Sequence, residues 1–227
     1  MRNRTAVIGL GIFGREVALN LTSLGHSVLA IDLRRDFVEL VRDSVEQALI
    51  LDSTDESALL EARVDKVNTA VCAIGTDHIQ NSIMTTALLN QLQVPRIVAR
   101  AADDLHARIL RRVGAHEVIN PEKAMGRRIA MQIARPGFRE VFRLATDFYV
   151  AELPVPQSMV DNSIARLNIR RNFCVNVIGV QRGGGPAAGA ADESVFVLQS
   201  SGKHTEKSHT GDFLPPDPDL ILREGDV

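Results

Sequence analysis

The chain has 227 residues, 45% of them apolar, which is enough for one large or two small domains with a buried core. Its 26 basic and 28 acidic side chains leave a net charge of −2, so no global attraction to nucleic acid or anionic lipid is expected. No apolar run reaches the roughly 18 residues of a spanning helix, and Met1–Arg4 precedes a strand instead of a signal-peptide core, so a cytoplasmic chain without membrane insertion of its own is expected.

The first elements carry the chemistry. A short apolar run, Ala6–Ile8, leads into Gly9-x-Gly11-x-x-Gly14, after which Phe13, Val17, Leu21 and Leu24 mark one face of a helix. In this strand, turn and helix, Gly9 permits the turn, Gly11 lets the backbone approach a phosphate, and Gly14 allows the helix to pack closely. The amides that open the helix face an anion. Asp32 follows eighteen residues after Gly14, at the end of a second apolar run, Ser27–Ile31. A carboxylate there can accept hydrogen bonds from ribose hydroxyls, so an adenine nucleotide is the default ligand.

The alternation continues. A helix over 34–41, a strand over Gln47–Leu51, a helix over Asp55–Ala62 and a strand over Asn68–Ile74 come next, the last closed by Gly75. Asn81–Gln93 is expected to be helical, Arg96–Arg100 a strand, Asp104–Val113 a helix ended by Gly114, and Glu117–Ile119 a short strand. The expected fold class is α/β, a Rossmann-like doubly wound parallel sheet over residues 1–120. A further helix, Glu122–Ala134, is left over after the sheet is complete, and residues 121–146 read as a crossover segment that packs on another subunit or leads to a second domain.

Residues 147–227 are expected to form a small α+β domain. Phe148–Leu153 alternates, Ser163–Leu167 reads as a short helix, Phe173–Val180 as a strand and Ser194–Gln199 as another. Gly183–Ala191 is low-complexity linker and 200–218 a polar, mobile stretch, so a flexible insert spans about 183–218. The segment 220–227 should feed a further strand. Cys72 and Cys174 lie in apolar runs and read as buried thiols, not a bridge.

Taken together, Val7–Gly14, Ile31-Asp32, Asp52–Asp55, Ala73–Gly75, Arg100 and Ile119–Glu122 resemble the domain that regulates potassium conductance. Phe148–Leu153, Asn176–Val180 and Glu224–Asp226 are similar to the smaller domain that follows it in that family. The resemblance implies a cytoplasmic regulatory subunit of a Trk or Ktr potassium transporter, a homodimer assembling into a ring beneath a membrane-embedded potassium-translocating subunit. It also implies NAD(H) or ADP/ATP as regulatory ligand. On this reading Gly9, Gly11 and Gly14 cradle phosphates, with Ile12 and Phe13 between them. Asp32 holds the ribose beside Leu33, Asp52 and Ser53 border the adenine, Gly75 borders the ligand from the fourth strand, and Arg100 neutralises phosphate. Glu122 matches a family position for a divalent cation between subunits. Where members regulated by ATP often carry arginine, this chain has Ile12, which shifts preference toward NAD(H) or a diphosphate.

The rival class is an NAD-dependent oxidoreductase, which the same crevice would serve. Such an enzyme needs an acid or base over the nicotinamide. Tyr149 has no lysine four residues on, and His78, His106 and His116 are scattered. The expectation is therefore a switch and not an enzyme.

Overall fold

A computed structural model describes residues 4–134, 141–145, 148–182 and 212–227. The chain forms two compact units, Met1–Met125 and Gly126–Val227.

The first unit carries β1 (Arg4–Ile8), α1 (Ile12–Ser23), β2 (Ser27–Asp32), α2 (Arg35–Glu39), β3 (Gln47–Ile50) and α3 (Glu56–Glu61). It continues with β4 (Thr69–Cys72), α4 (Ile79–Gln91), β5 (Arg96–Arg100), α5 (Asp104–Arg112) and β6 (Glu117–Ile119). Helix α6 (Pro121–Ala134) spans the division between the units. The six strands make one parallel sheet in the order β3-β2-β1-β4-β5-β6, which reverses direction between β1 and β4. Ligands of such sheets bind beyond the carboxyl ends of the strands at that reversal.

The period of two in the strands decides which side chains meet which helices. Ala6, Ile8, Leu29, Ile31, Ala70 and Cys72 join Leu59 of α3, Leu89 of α4 and Leu110 of α5 in one buried cluster. Their neighbours in sequence, Val7, Val28, Ala30 and Val71, turn to the opposite face and pack with Ala18 of α1 and Val38 of α2. Both faces are covered, which is why the strands read as continuous apolar runs. Truncating a fully buried residue such as Leu29 or Ile31 to alanine costs about 2–5 kcal/mol at sites of this kind.

In the second unit, β7 (Val141–Ala145) and β8 (Phe148–Ala151) pair antiparallel. Short helices α7 (Ile164–Leu167) and α8 (Ile169–Phe173) follow, the first capped by the Ser163 hydroxyl, which accepts from the Arg166 amide at 3.2 Å. Strands β9 (Val180–Arg182) and β10 (Asp212–Leu214) form a second antiparallel pair.

Three expectations are corrected here. The run Phe173–Val180 is not a strand: Phe173 ends α8, Cys174 takes a left-handed conformation with φ 56°, and regular pairing begins only at Val180. Strand propensity is realised where a neighbour supplies the ladder, and the described neighbour β10 reaches only Val180, Gln181 and Arg182. Cys174 is exposed, whereas Cys72 is buried, and both are free thiols. Within the stretch expected to be mobile, Asp212–Leu214 is strand β10. The segment 220–227 is held by pairing: Ser163 bridges Ile221, and Gln181 and Val227 exchange backbone hydrogen bonds of 2.7 and 3.0 Å. The expected strand Ser194–Gln199 and the linker Gly183–Ala191 lie outside the described residues.

Candidate nucleotide site

The chain leaves β1 through Gly9, whose φ of +90° and close neighbours exclude a side chain. A Cβ there would lie 2.9 Å from the carbonyl carbon of Ala73 and from the amide of Ile74, just beyond β4. Gly14 faces the same turn from α1, and a Cβ on it would fall 1.8 Å from the Gly9 carbonyl oxygen. Both glycines are therefore required by the contact between turn, helix and β4. Gly11 differs: a side chain there would project into open space at the mouth of the turn.

Gly11 is also the N-cap of α1, in extended conformation, with no side chain bonded to the helix amides and no acidic residue in the first turn. The first intrahelical hydrogen bond runs from Arg15 to the Gly11 carbonyl at 2.9 Å. The amides of the first turn thus point out of the helix end, where its dipole favours an anion. Ile12 stands 79% exposed at this end and brings no charge to it.

Asp32 ends β2 beside the turn. One carboxylate oxygen accepts from the Leu10 amide at 2.6 Å and the other from the Arg34 amide at 2.8 Å. Each oxygen keeps a further lone pair, so the group that braces the glycine turn retains capacity for ribose hydroxyls. Leu33 follows it, exposed. Arg34 is bonded to Asp36 and lies 4.0 Å over the Phe37 ring, and this pairing raises the arginine and holds the Asp36 carboxyl below its usual range.

At the end of β3, one Asp52 oxygen accepts from the Thr54 amide (2.9 Å) and the Thr54 hydroxyl (2.7 Å), and these bonds hold the carboxyl below its usual range. Ser53 is buried, and its hydroxyl is shared with Thr85 of α4 at 2.8 Å. Thr85 also donates to the Ser53 carbonyl at 3.3 Å. Gly75 follows β4 and caps the turn Thr76–His78 that leads into α4. Arg100 ends β5 with its guanidinium 5.7 Å from the centroid of the Phe13 ring, and it is bonded to Glu122 in the first turn of α6.

Of the residues expected at the site, Gly9, Gly11, Asp32, Leu33, Asp52, Ser53, Gly75 and Arg100 fall in the loops at the carboxyl edge of one sheet or at that edge itself, and Ile12, Phe13 and Gly14 fall in the first turn of α1, which opens from that edge. Two of them have partners that sequence spacing does not reveal. The Ser53 hydroxyl is engaged by Thr85, and the Arg100 charge by Glu122. Thr85 gave no signal because it reads as one more small residue on the buried stripe of α4. For Glu122, the cation at its carboxylate is a guanidinium of its own chain, and among the described residues no cluster of three or more His, Cys, Asp or Glu is placed to hold a metal.

The second unit has a cavity of about 440 Å³ lined by Ile164, Asn168, Ile169, Arg170, Val175 and Val177.

A family model described as the TrkA-N domain matches residues 5–121. The chain is 33% identical over 183 residues to the Ktr system potassium uptake protein C of Bacillus subtilis (strain 168), covering 81% of this chain and 82% of that protein. It is 31% identical over 191 residues to the Ktr system potassium uptake protein A of the same organism, covering 84% and 86%. Among solved structures, the GsuK channel bound to NAD aligns with 100% of this chain and 36% of its own, at TM-score 0.62 and 18% identity, a likeness of fold.

Proposed function

The chain belongs to the TrkA-N domain family, and from that membership we propose that it is a nucleotide-sensing regulatory subunit of a potassium uptake system of Ktr type. The observation that carries this reading is the uncapped amino end of α1, set beside the Asp32 carboxylate at the reversal of the sheet. That arrangement takes a phosphate on amides and a ribose on a carboxylate. The ligand is NAD(H) or an adenosine phosphate such as ADP, and the names of the relatives support potassium uptake as the process it regulates. The crevice acts here as a sensor and not as the site of hydride transfer.

The partner is a membrane-embedded potassium-translocating subunit. Among the described residues no helix is long and apolar enough to cross a membrane, so the chain acts from the cytoplasmic face through that partner. Met125, Ile129 and Ile133 recur at helical spacing on α6 and are 50%, 47% and 76% exposed, which supports pairing of two copies along this helix within a ring. Regulation follows if nucleotides differ in affinity for two arrangements of the ring, because only a difference in affinity shifts a population.

Calorimetric titration of the purified chain with NADH, NAD, ADP and ATP tests the reading. Binding of at least one is expected in the micromolar range, weakened at least tenfold by Asp32→Ala. No binding of any of the four, or an Asp32→Ala protein that binds as the parent does, overturns the crevice assignment. Steady reduction of NAD with a 2-hydroxy acid or an aldehyde would overturn the sensing role in favour of an oxidoreductase.

A further inference from the structure

We infer that Thr85 of α4 is a positioning residue for the nucleobase. By fixing the turn after β3 it makes the site select a 6-amino purine, adenine, over a 6-keto purine. The inference rests on the nucleotide reading above and concerns how the base, and not the phosphate, is recognised.

The base end follows from the order of the strands. With phosphate on the amides of α1 and ribose on Asp32 at the end of β2, the base lies over the next strand outward, β3. The two strand ends are joined there, the Leu51 amide donating to the Asp32 carbonyl at 3.2 Å. Asp52 follows and is exposed, and both of its bonds to Thr54 fall on one carboxylate oxygen. The other oxygen, as part of a carboxylate, can only accept. An acceptor alone does not choose between purines. Adenine offers its N6 amine, whereas hypoxanthine carries a carbonyl at position 6 with an N1–H beside it, so a carboxylate free to shift along that edge binds either base. Selection depends on where the turn is held.

Thr85 holds it. A threonine inside a helix commonly turns its hydroxyl back to the carbonyl of the preceding turn, and Thr86 does so, donating to the Ser82 carbonyl at 2.7 Å. Thr85, its neighbour in the same helix and fully buried, instead reaches the residue after Asp52. Its hydroxyl donates to the Ser53 carbonyl at 3.3 Å and lies 2.8 Å from the Ser53 hydroxyl. With the single Thr85 hydrogen on that carbonyl, the Ser53 hydroxyl is the donor to Thr85, so both hydrogens are used within the protein. This buried tie at two points, made from 32 residues along the chain, sets the backbone of the turn and with it the reach of the Asp52 oxygen.

The test is isothermal titration of the purified full chain with two matched pairs, ADP against IDP and NADH against its hypoxanthine analogue. In the parent the adenine member is expected to bind about tenfold more tightly, as one hydrogen bond to a charged group allows. In Thr85→Val, which keeps the shape and removes the hydroxyl, that ratio is expected to fall to about twofold or less. Thr85→Ser, which keeps the hydroxyl, is expected to restore it. Thr85→Val leaves the Ser53 hydroxyl unpaired, so should it melt early, the double variant Ser53→Ala/Thr85→Val removes both hydroxyls and is expected to lose the ratio in the same way. Loss of affinity for both members by the same factor marks a purely structural role and overturns the inference, as does a parent that binds both members equally. Either result leaves the nucleotide site in place. A parent that binds none of the four overturns the nucleotide reading itself.

Discussion

Helices α3 and α5 open on Asp55 and Asp103, whose carboxylates accept from the first amides of their own helices at 2.8 to 3.3 Å. Helices α1 and α4, on the strands either side of the reversal, open on Gly11 and His78 with no side chain over their amides. All four follow parallel strands of one sheet, so strand geometry does not explain the difference. A side-chain cap stabilises a helix by about 1 kcal/mol. The chain forgoes that stability at the two helices beside the crevice and keeps it at the two farther from it. The helix ends left without a side-chain cap are those that border the proposed site. Helix α2 lies between these cases, since Arg34 does not cap it but Asp36 sits in its first turn.

The harshest way to break this contrast is Gly14→Ala. Its Cβ meets the Gly9 carbonyl, so α1 must move off the turn, with an expected loss of about 1–3 kcal/mol or more in chemical denaturation and loss of nucleotide binding. An alanine variant with the parent's stability and affinity would mean the helix end is not held where the structure has it.

Gly11→Asp sharpens the contrast without disturbing packing, since the new side chain projects into open space. As a cap it is expected to stabilise the free protein by a few tenths of a kcal/mol, while its charge and occupancy of the amides lower nucleotide affinity at least tenfold. A stabilised variant that binds as before would show that the uncapped end is not the ligand's.

On the capped side, Asp55→Ala and Asp103→Ala are each expected to lower stability by about 1 kcal/mol and to leave nucleotide affinity within twofold. A large affinity loss in either would place the ligand farther along the edge.

The smallest expected effect is the pH response of His106, buried in the first turn of α5. Its Nδ1 accepts from the Ala102 amide at 3.2 Å and Asp103 sits beside it, yet burial prevails and pushes the imidazole below its ordinary value of about 6.5. The unfolded chain therefore takes up a proton before the folded chain does. Stability from this group is complete above pH 6.5 and is lost as pH falls below it toward the folded value. Denaturation midpoints at pH 7.5 and 5.5 should fall further in the parent than in His106→Gln. Equal falls would show that the histidine does not carry the slope.

Much of this was readable without coordinates, and the reasons are local. Gly9, Gly14 and Asp32 belong to a turn whose requirements lie within a few residues, and the strands announce themselves because both sheet faces are buried. Phe173–Val180 misled because strand propensity speaks of a pleated, half-buried surface, and whether a partner strand is there is not encoded in the run itself. Cys174 misled for the same reason, its apolar neighbours lying on an exposed helix end.

The order of apolar runs, glycines and acid determined by itself that the chain folds as a doubly wound sheet and that the glycine turn and the acid meet at its carboxyl edge, where a nucleotide crevice is proposed, since periodicity and turn chemistry act over short spans. Only the tertiary structure decided how that crevice is charged. The Ser53 hydroxyl turns to Thr85, 32 residues on, and Arg100 turns to Glu122, 22 residues on. Such pairings depend on which loops the sheet brings together, and no spacing along the chain encodes them.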